Sequence, residues 1–457
     1  MKAGKTARYV DLRKDFPFFA FEEFSVEIES DEIRAEFLFN LSGRFFFRPV
    51  LRVPLRPWFI QENMHESILR QLFFHIGMIE LISYWKAACS PRVIIRPYNL
   101  DASQVRWWKT IYHHGLGEFF YTNGLQPGME DFMEIVPESG NESEKVSFRN
   151  SPGYLVPVGG GKDSAVSLEV LKGYNHSVIP FVMNPNAAME GTILASGGSM
   201  HNSVVVYRSI DPKLLELNAK GFLNGHTPFS ALLAFNSLLG ASLAGTSHIA
   251  LSNESSANEP TIPGTHINHQ YSKSFHFEAA FRSYIADYIS SDVSYFSLLR
   301  PLNELQIARI FAEKKPYHDV FRSCNKGSKT GSWCRKCPKC LFTWIILMPF
   351  LGNDALIKMF GGDLMEDLSL RPLLDQLTGM AREKPFECVG TIDEVNVSLV
   401  YGIRKYGKPL PPLLRYYRDS DMYRKYENAD MDLFLNVLHP EHFVDEDALM
   451  MIKSELP

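Results

Sequence analysis

Apolar and polar positions alternate through "FSVEIES", "IRAEFLFNL" and "FFFRPVLRVPL", the period-two pattern of half-buried strands. The period then lengthens. In "HESILRQLFFHIGMIELISYWKAA" apolar residues recur at three- and four-residue spacing, and "SQVRWWKTIYHHGLGEFFYTNG" opens at Ser103, a residue suited to cap a helix. Strands followed by helices predict an α+β domain over residues 1–145. The polar stretch "PESGNESEKVSFRNSP", with proline and glycine near its ends, reads as a linker or exposed loop. Strand and helix patterns alternate from there: "YLVPV", a helix from Ser164, "SVIPFVM", "SVVVYRS", a helix through "PFSALLAFNSLLGA", "HIALSN" and a helix through "FHFEAAFRSYIADYI". Such alternation predicts an α/β domain over residues 151–350, a parallel sheet with helices on both faces. Residues 351–457 mix short helical patterns with proline-rich turns and read as a mainly helical region.

The 457 residues leave room for two or three domains, and 45% apolar with 22% charged residues is ordinary for a folded chain. Lys and Arg number 47 against 52 Asp and Glu, so no overall positive field gathers nucleic acid, and any polyanion must meet a local basic pocket. The N-terminus "MKAGKTARYVDLRKDFPFF" lacks the apolar core and cleavage site of a signal peptide, and "LFTWIILMPFL" is too short to span a bilayer. The expectation is a cytoplasmic protein without membrane insertion.

One strand ends in glycines and feeds a helix: "LVPVGGGKDSAVSLEVLK". Backbone N–H groups and the positive end of a helix dipole then point at one place, which is how chains cradle phosphate. The spacing is not the Walker pattern, because an aspartate separates Lys162 from Ser164. The loop resembles the PP-loop of the N-type ATP pyrophosphatases, usually written S-G-G-x-D-S, whose members cut ATP between the α and β phosphates. Gly159 stands where that family has its first serine, so one hydroxyl donor to pyrophosphate is missing. The resemblance implies that ATP sits against Gly159, Gly160, Gly161, Lys162, Asp163 and Ser164, that Asp163 helps place Mg²⁺, and that Ser164 donates to a phosphate oxygen.

Two further segments carry chemistry. "LSNESSANEPTIPGTHINHQYSKSFHFE" crowds Asn253, Glu254, Asn258, Glu259, His266, His269, Tyr271 and Lys273 directly after an apolar strand, where parallel sheets bind ligands. "NGHTPFSALLAF", around His226, fits a loop lining the nucleotide pocket. "CNKGSKTGSWCRKCPKC" spaces Cys324, Cys334, Cys337 and Cys340 as C-x9-C-x2-C-x2-C, which suits a closed structural Zn²⁺ site in a reducing compartment. An iron–sulfur cluster uses the same four ligands, and four buried thiols without metal is the plainer alternative.

Together with "KPFECVGT" at 384–391, these segments resemble the UDP-N-acetyl-α-D-muramoyl-L-alanyl-L-glutamate epimerase family over most of the chain. The resemblance implies ATP-dependent inversion of the terminal L-Glu of a UDP-linked muramoyl dipeptide, with AMP and pyrophosphate released. Candidate acid and base groups are His266, His269, Tyr271, Lys273 and Cys388, while Lys162, Lys273 and Lys384 are the cations expected to meet phosphates or substrate carboxylates. Two other classes stay open: a PP-loop ligase or tRNA-modifying enzyme, and a nucleotide-binding regulator that does not cleave ATP.

Overall fold

The computed structural model describes residues 2–456 except 263, 266, 270, 328, 329, 407 and 408, with side chains described from residue 7 onward. It is a mixed α/β structure. The described strands are β1 (Phe18–Ile28), β2 (Glu32–Leu41), β3 (Phe45–Phe47), β4 (Val50–Pro54), β5 (Arg92–Ile95), β6 (Glu134–Pro137), β7 (Ser151–Pro157), β8 (Ser177–Met183), β9 (Val204–Ser209), β10 (Thr246–Leu251) and β11 (Ser294–Ser297). The chain divides into two compact units. The first comprises Met1–Leu155, Val204–Ile249 and Tyr271–Tyr295; the second comprises Val156–Ser203, Ala250–Gln270 and Phe296–Pro457. No described helix is long and apolar enough to cross a membrane.

In the first unit the strand order is β9-β4-β2-β1-β5-β6, with β3 paired to β2. Pairing is antiparallel from β9 to β1 and parallel from β1 through β5 to β6. The two-residue alternation of β2 buries Ile33, Ala35, Phe37, Phe39 and Leu41. The helix Glu66–Trp85, apolar on nearly every side, is buried from Ile68 to Trp85 except at Arg70, so it forms the core rather than a surface.

That helix carries a wholly buried histidine. His75 Nδ1 lies 2.8 Å from the Gln71 carbonyl and must donate to it, which leaves Nε2 to accept from the Tyr284 hydroxyl at 3.1 Å. The same hydroxyl accepts from Trp108 Nε1 at 3.0 Å. Burial pushes the His75 imidazole down from its ordinary value near 6.5 to about 4. The folded state therefore resists a proton that the unfolded chain takes up below pH 6.5. Stability from this group is full above that pH and declines as the pH falls to about 4, by roughly 3 kcal/mol in all. Denaturant melts between pH 7 and 4 should show that loss, and His75→Gln should flatten this part of the profile.

Residues 246–249 of β10 pair with residues 151–155 of β7 in the first unit, and the segments that leave both strands, from Val156 and from Ala250 onward, belong to the second. β7 and β10 run parallel, so the loops that follow them leave from one end. The segment after β11 joins those loops, because Arg300 donates to the Glu254 carbonyl at 2.7 Å and Ser255 N–H to the Leu302 carbonyl at 2.9 Å. Polar side chains from three connections thereby meet where a parallel sheet ends, the usual position for a ligand.

Candidate active site and cysteine cluster

The glycine loop follows β7 and opens the helix Lys162–Val170, whose N-cap is Gly161. A glycine cap offers no side chain to the first helical amides, so those of the first turn keep the donor capacity that binds an anion. Gly160 has φ +77, and a Cβ there would lie 2.8 Å from the backbone of both Ala188 and Met189. Only glycine fits that conformation and that approach. The loop is pinned from outside by Arg322 N–H, which donates to the Gly160 carbonyl at 2.7 Å. Ser164 is buried and donates to the Gly161 carbonyl at 3.1 Å. The turn and the helix start thus offer backbone N–H groups, with no capping side chain in front of them, to an anion.

Lys162 turns inward. It is 2% exposed and its ammonium donates to the carboxylates of both Asp163 and Glu304, with the Phe342 ring 6.0 Å away. Burial alone would push this ammonium down, but Asp163, Glu304 and Glu254 outweigh it and hold Lys162 above the ordinary lysine range. Glu304 opens the helix Glu304–Glu313 behind a capping box made by Asn303 and Gln306. Its own N–H is taken by Glu394 Oε1 at 2.7 Å, an oxygen that also accepts from Ser256 at 2.7 Å. Glu394 Oε2 accepts from Thr391 N–H at 2.6 Å. One carboxylate therefore ties three chain segments around the lysine.

A second buried cation fixes the loop at 384–391. Lys384, 6% exposed, donates to the Glu259 carboxylate and to the Gly390 carbonyl at 2.8 Å, and its N–H donates to the Thr261 carbonyl at 3.2 Å. Cys388 is half-buried in this loop. Burial raises the neighbouring Glu387 carboxyl, against the opposing pull of Lys339 and His269. His269 is half-buried, and its N–H donates to the Thr261 hydroxyl at 3.0 Å.

Three of the other candidates, Tyr271, Lys273 and His226, belong to the first unit. Tyr271 and Lys273 occupy a short 3₁₀ turn, Tyr271–Lys273, of the first unit. There Tyr271 stacks on His114 with centroids 4.9 Å apart, its hydroxyl lies 3.2 Å from His276 Nδ1, and burial pushes that hydroxyl up to about 12. His226, in the same unit, has Nδ1 3.7 Å from a Glu118 carboxylate oxygen. His266 lies outside the described residues. Glu304, Glu394 and Arg300 went unread in the sequence. "LNELQIARIF" did carry a signal, since an N-cap Asn and a Gln three residues on mark a helix start just after a strand, and Glu304 sits at its first position.

Sγ atoms of Cys324, Cys334, Cys337 and Cys340 all lie within 4.8 Å of one another. The Sγ–Sγ distances are 3.8 Å for Cys324–Cys337, 3.7 Å for Cys334–Cys340 and 3.4 Å for Cys337–Cys340. A tetrahedron of sulfurs at about 2.3 Å from a metal has edges of about 3.8 Å, so the four thiols fit a closed four-sulfur site. Gly327 N–H donates to Cys324 Sγ at 3.1 Å. A Cβ on Gly327 would run into the Ser332 carbonyl, so the loop folds back only with glycine there. Cys337 is the N-cap and Cys340 lies in the first turn of the buried helix Pro338–Leu347. The cluster anchors that helix, and a four-thiolate site leaves no open position for a substrate.

Residues 11–298 match the family model of the MurL N-terminal domain, and residues 320–419 match that of the MurL C-terminal domain. Three relatives carry the name UDP-N-acetyl-alpha-D-muramoyl-L-alanyl-L-glutamate epimerase. The protein of Salinispora tropica is 36% identical over 389 residues, 83% of this chain and 84% of its own length. That of a Micromonospora species is 35% identical over 83% of this chain and 86% of its own. That of Xanthomonas oryzae pv. oryzae is 34% identical over 80% and 82%. No solved structure matches the chain significantly.

Proposed function

Because the chain belongs to the MurL family, we propose that it is an epimerase, inverting the terminal L-Glu of UDP-N-acetylmuramoyl-L-Ala-L-Glu to D-Glu at the expense of ATP. The reading of ATP rests on one observation, the 159–164 loop in which Gly160 admits no side chain beside an uncapped helix N-terminus. The substrate comes from the names of the relatives.

The chemistry explains the ATP. Removing the α-proton beside an ionised carboxylate would put a carbanion next to an anion. Adenylating the α-carboxylate removes that charge and provides an enolate to hold the electrons. The γ-carboxylate lies too far from the stereocentre to help. In this reading the amides of the glycine loop and the Ser164 hydroxyl hold the departing pyrophosphate. Asp163 is the residue that would hold Mg²⁺, which supplies charge neutralisation between phosphates. A protein base takes the α-proton, an acid on the opposite face returns one, and water then cleaves the acyl phosphate. His269, Cys388, Tyr271, Lys273 and His266 are the proposed donors and acceptors, and Cys324, Cys334, Cys337 and Cys340 would hold a structural Zn²⁺ with no open position for the chemistry.

The test is turnover of the UDP-linked L-Ala-L-Glu substrate with ATP and Mg²⁺ in D₂O, followed by chiral amino-acid analysis and mass spectrometry. D-Glu carrying deuterium at the α-carbon, formed with AMP, is the expected result. ATP cleavage with neither inversion nor exchange would make the activated carboxylate the target of a nucleophile and the protein a ligase.

A further inference from the structure

Resting on that reading of the glycine loop, we propose that Glu304 is a positioning residue for ATP binding, which acts by holding the Lys162 ammonium so that Asp163 can release it to a metal ion. Lys162 bridges two carboxylates with different surroundings. Asp163 has a side chain 31% exposed at the loop, whereas that of Glu304 is 4% exposed and fixed at a helix start whose N–H is bound by Glu394. A cation approaching the phosphates competes with Lys162 for Asp163. If Asp163 turns to the metal, Lys162 keeps a full partner in Glu304, so no buried charge is left alone, and stranding one is the costly outcome. Without the Glu304 charge the ammonium would depend on Asp163 alone, and the metal would have to break that pair. A carboxylate one methylene shorter would fail in the same way, because its reach to Lys162 Nζ is lost.

The experiment measures thermal stabilisation of the zinc-loaded protein by α,β-methylene-ATP as Mg²⁺ is titrated. Each variant is compared with its own melt without nucleotide, and its fold is checked by circular dichroism. In Glu304→Gln and Glu304→Asp the half-saturating Mg²⁺ should rise about tenfold, the scale on which partners behind a ligand act. The double variant Lys162→Met/Glu304→Gln, which buries no unpaired charge, should return to near the parent value because Asp163 has no ammonium to release. A parent-like Mg²⁺ requirement in Glu304→Asp, or a double variant as weak as Glu304→Gln, overturns the proposal. If the parent protein is not stabilised by the analogue with Mg²⁺ at all, the ATP reading itself fails.

Discussion

Asp163→Ala is expected to lower the rate of pyrophosphate release by a factor of about 10² to 10³, equivalent to roughly 3–4 kcal/mol in the barrier, while the protein still folds. Two features separate the chemical effect from the structural one. Asp163 is only half-buried, and when its carboxylate is removed Lys162 remains paired with Glu304. The melting temperature should therefore move little. Ser164→Ala removes a hydroxyl that now donates to the Gly161 carbonyl within the same turn, and it should lose rate on a similar scale if that hydroxyl re-aims at a phosphate oxygen. A coupled assay for pyrophosphate, run at saturating ATP on both variants, measures this. Near-normal release by both would remove the phosphate role from the loop.

Cys340→Ser should be the most destabilising single change in the second unit. The thiol is fully buried, it stands in the first turn of a helix whose next seven residues, Leu341–Leu347, are buried, and its sulfur lies 3.4 Å from that of Cys337. Metal binding to a four-thiolate site is coupled to folding and amounts to about 10–16 kcal/mol in isolated zinc peptides at neutral pH. That is comparable with the whole margin, about 5–15 kcal/mol, by which most domains are stable. The parent protein should carry one zinc per chain and be colourless, and the variant should lose the metal and most of its soluble yield. Brown protein containing iron and sulfide would replace zinc by a cluster at the same thiols.

The sequence was most legible where one local rule decided the outcome. Gly160 and Gly161 announced a tight turn before a helix, and the spacing of four cysteines announced sulfurs brought within reach of one ion; each is a matter of a few consecutive residues. Alternation in β2 and the three- and four-residue apolar spacing within Glu66–Trp85 likewise depend only on neighbours. The partners of Lys162 did not follow from any such rule. Glu304 is 142 residues away, and nothing in "LNELQ" distinguishes a carboxylate that will be buried against a lysine from one that will face water. Glu394, tied to Ser256 and to the Glu304 amide, reaches across 138 and 90 residues. The polar stretch after β10 reads as one loop, yet His269 belongs to the second unit and Tyr271 to the first, a division that composition does not mark.

The interleaving of the two units also bears on how the protein is made. A ribosome delivers the chain from its N-terminus, but the first unit is complete only when Tyr295 has emerged, although its opening segment ends at Leu155. At about 5–20 residues per second the intervening 140 residues take roughly 7–28 s to be translated. During that interval β4 has no β9, then β7 has no β10, and the Phe-rich strands near the N-terminus wait with an unpaired edge. Holding chaperones, rather than sequential domain folding, are what such a nascent chain calls for, and slowing synthesis further would expose the edge for longer instead of giving a finished domain time to form.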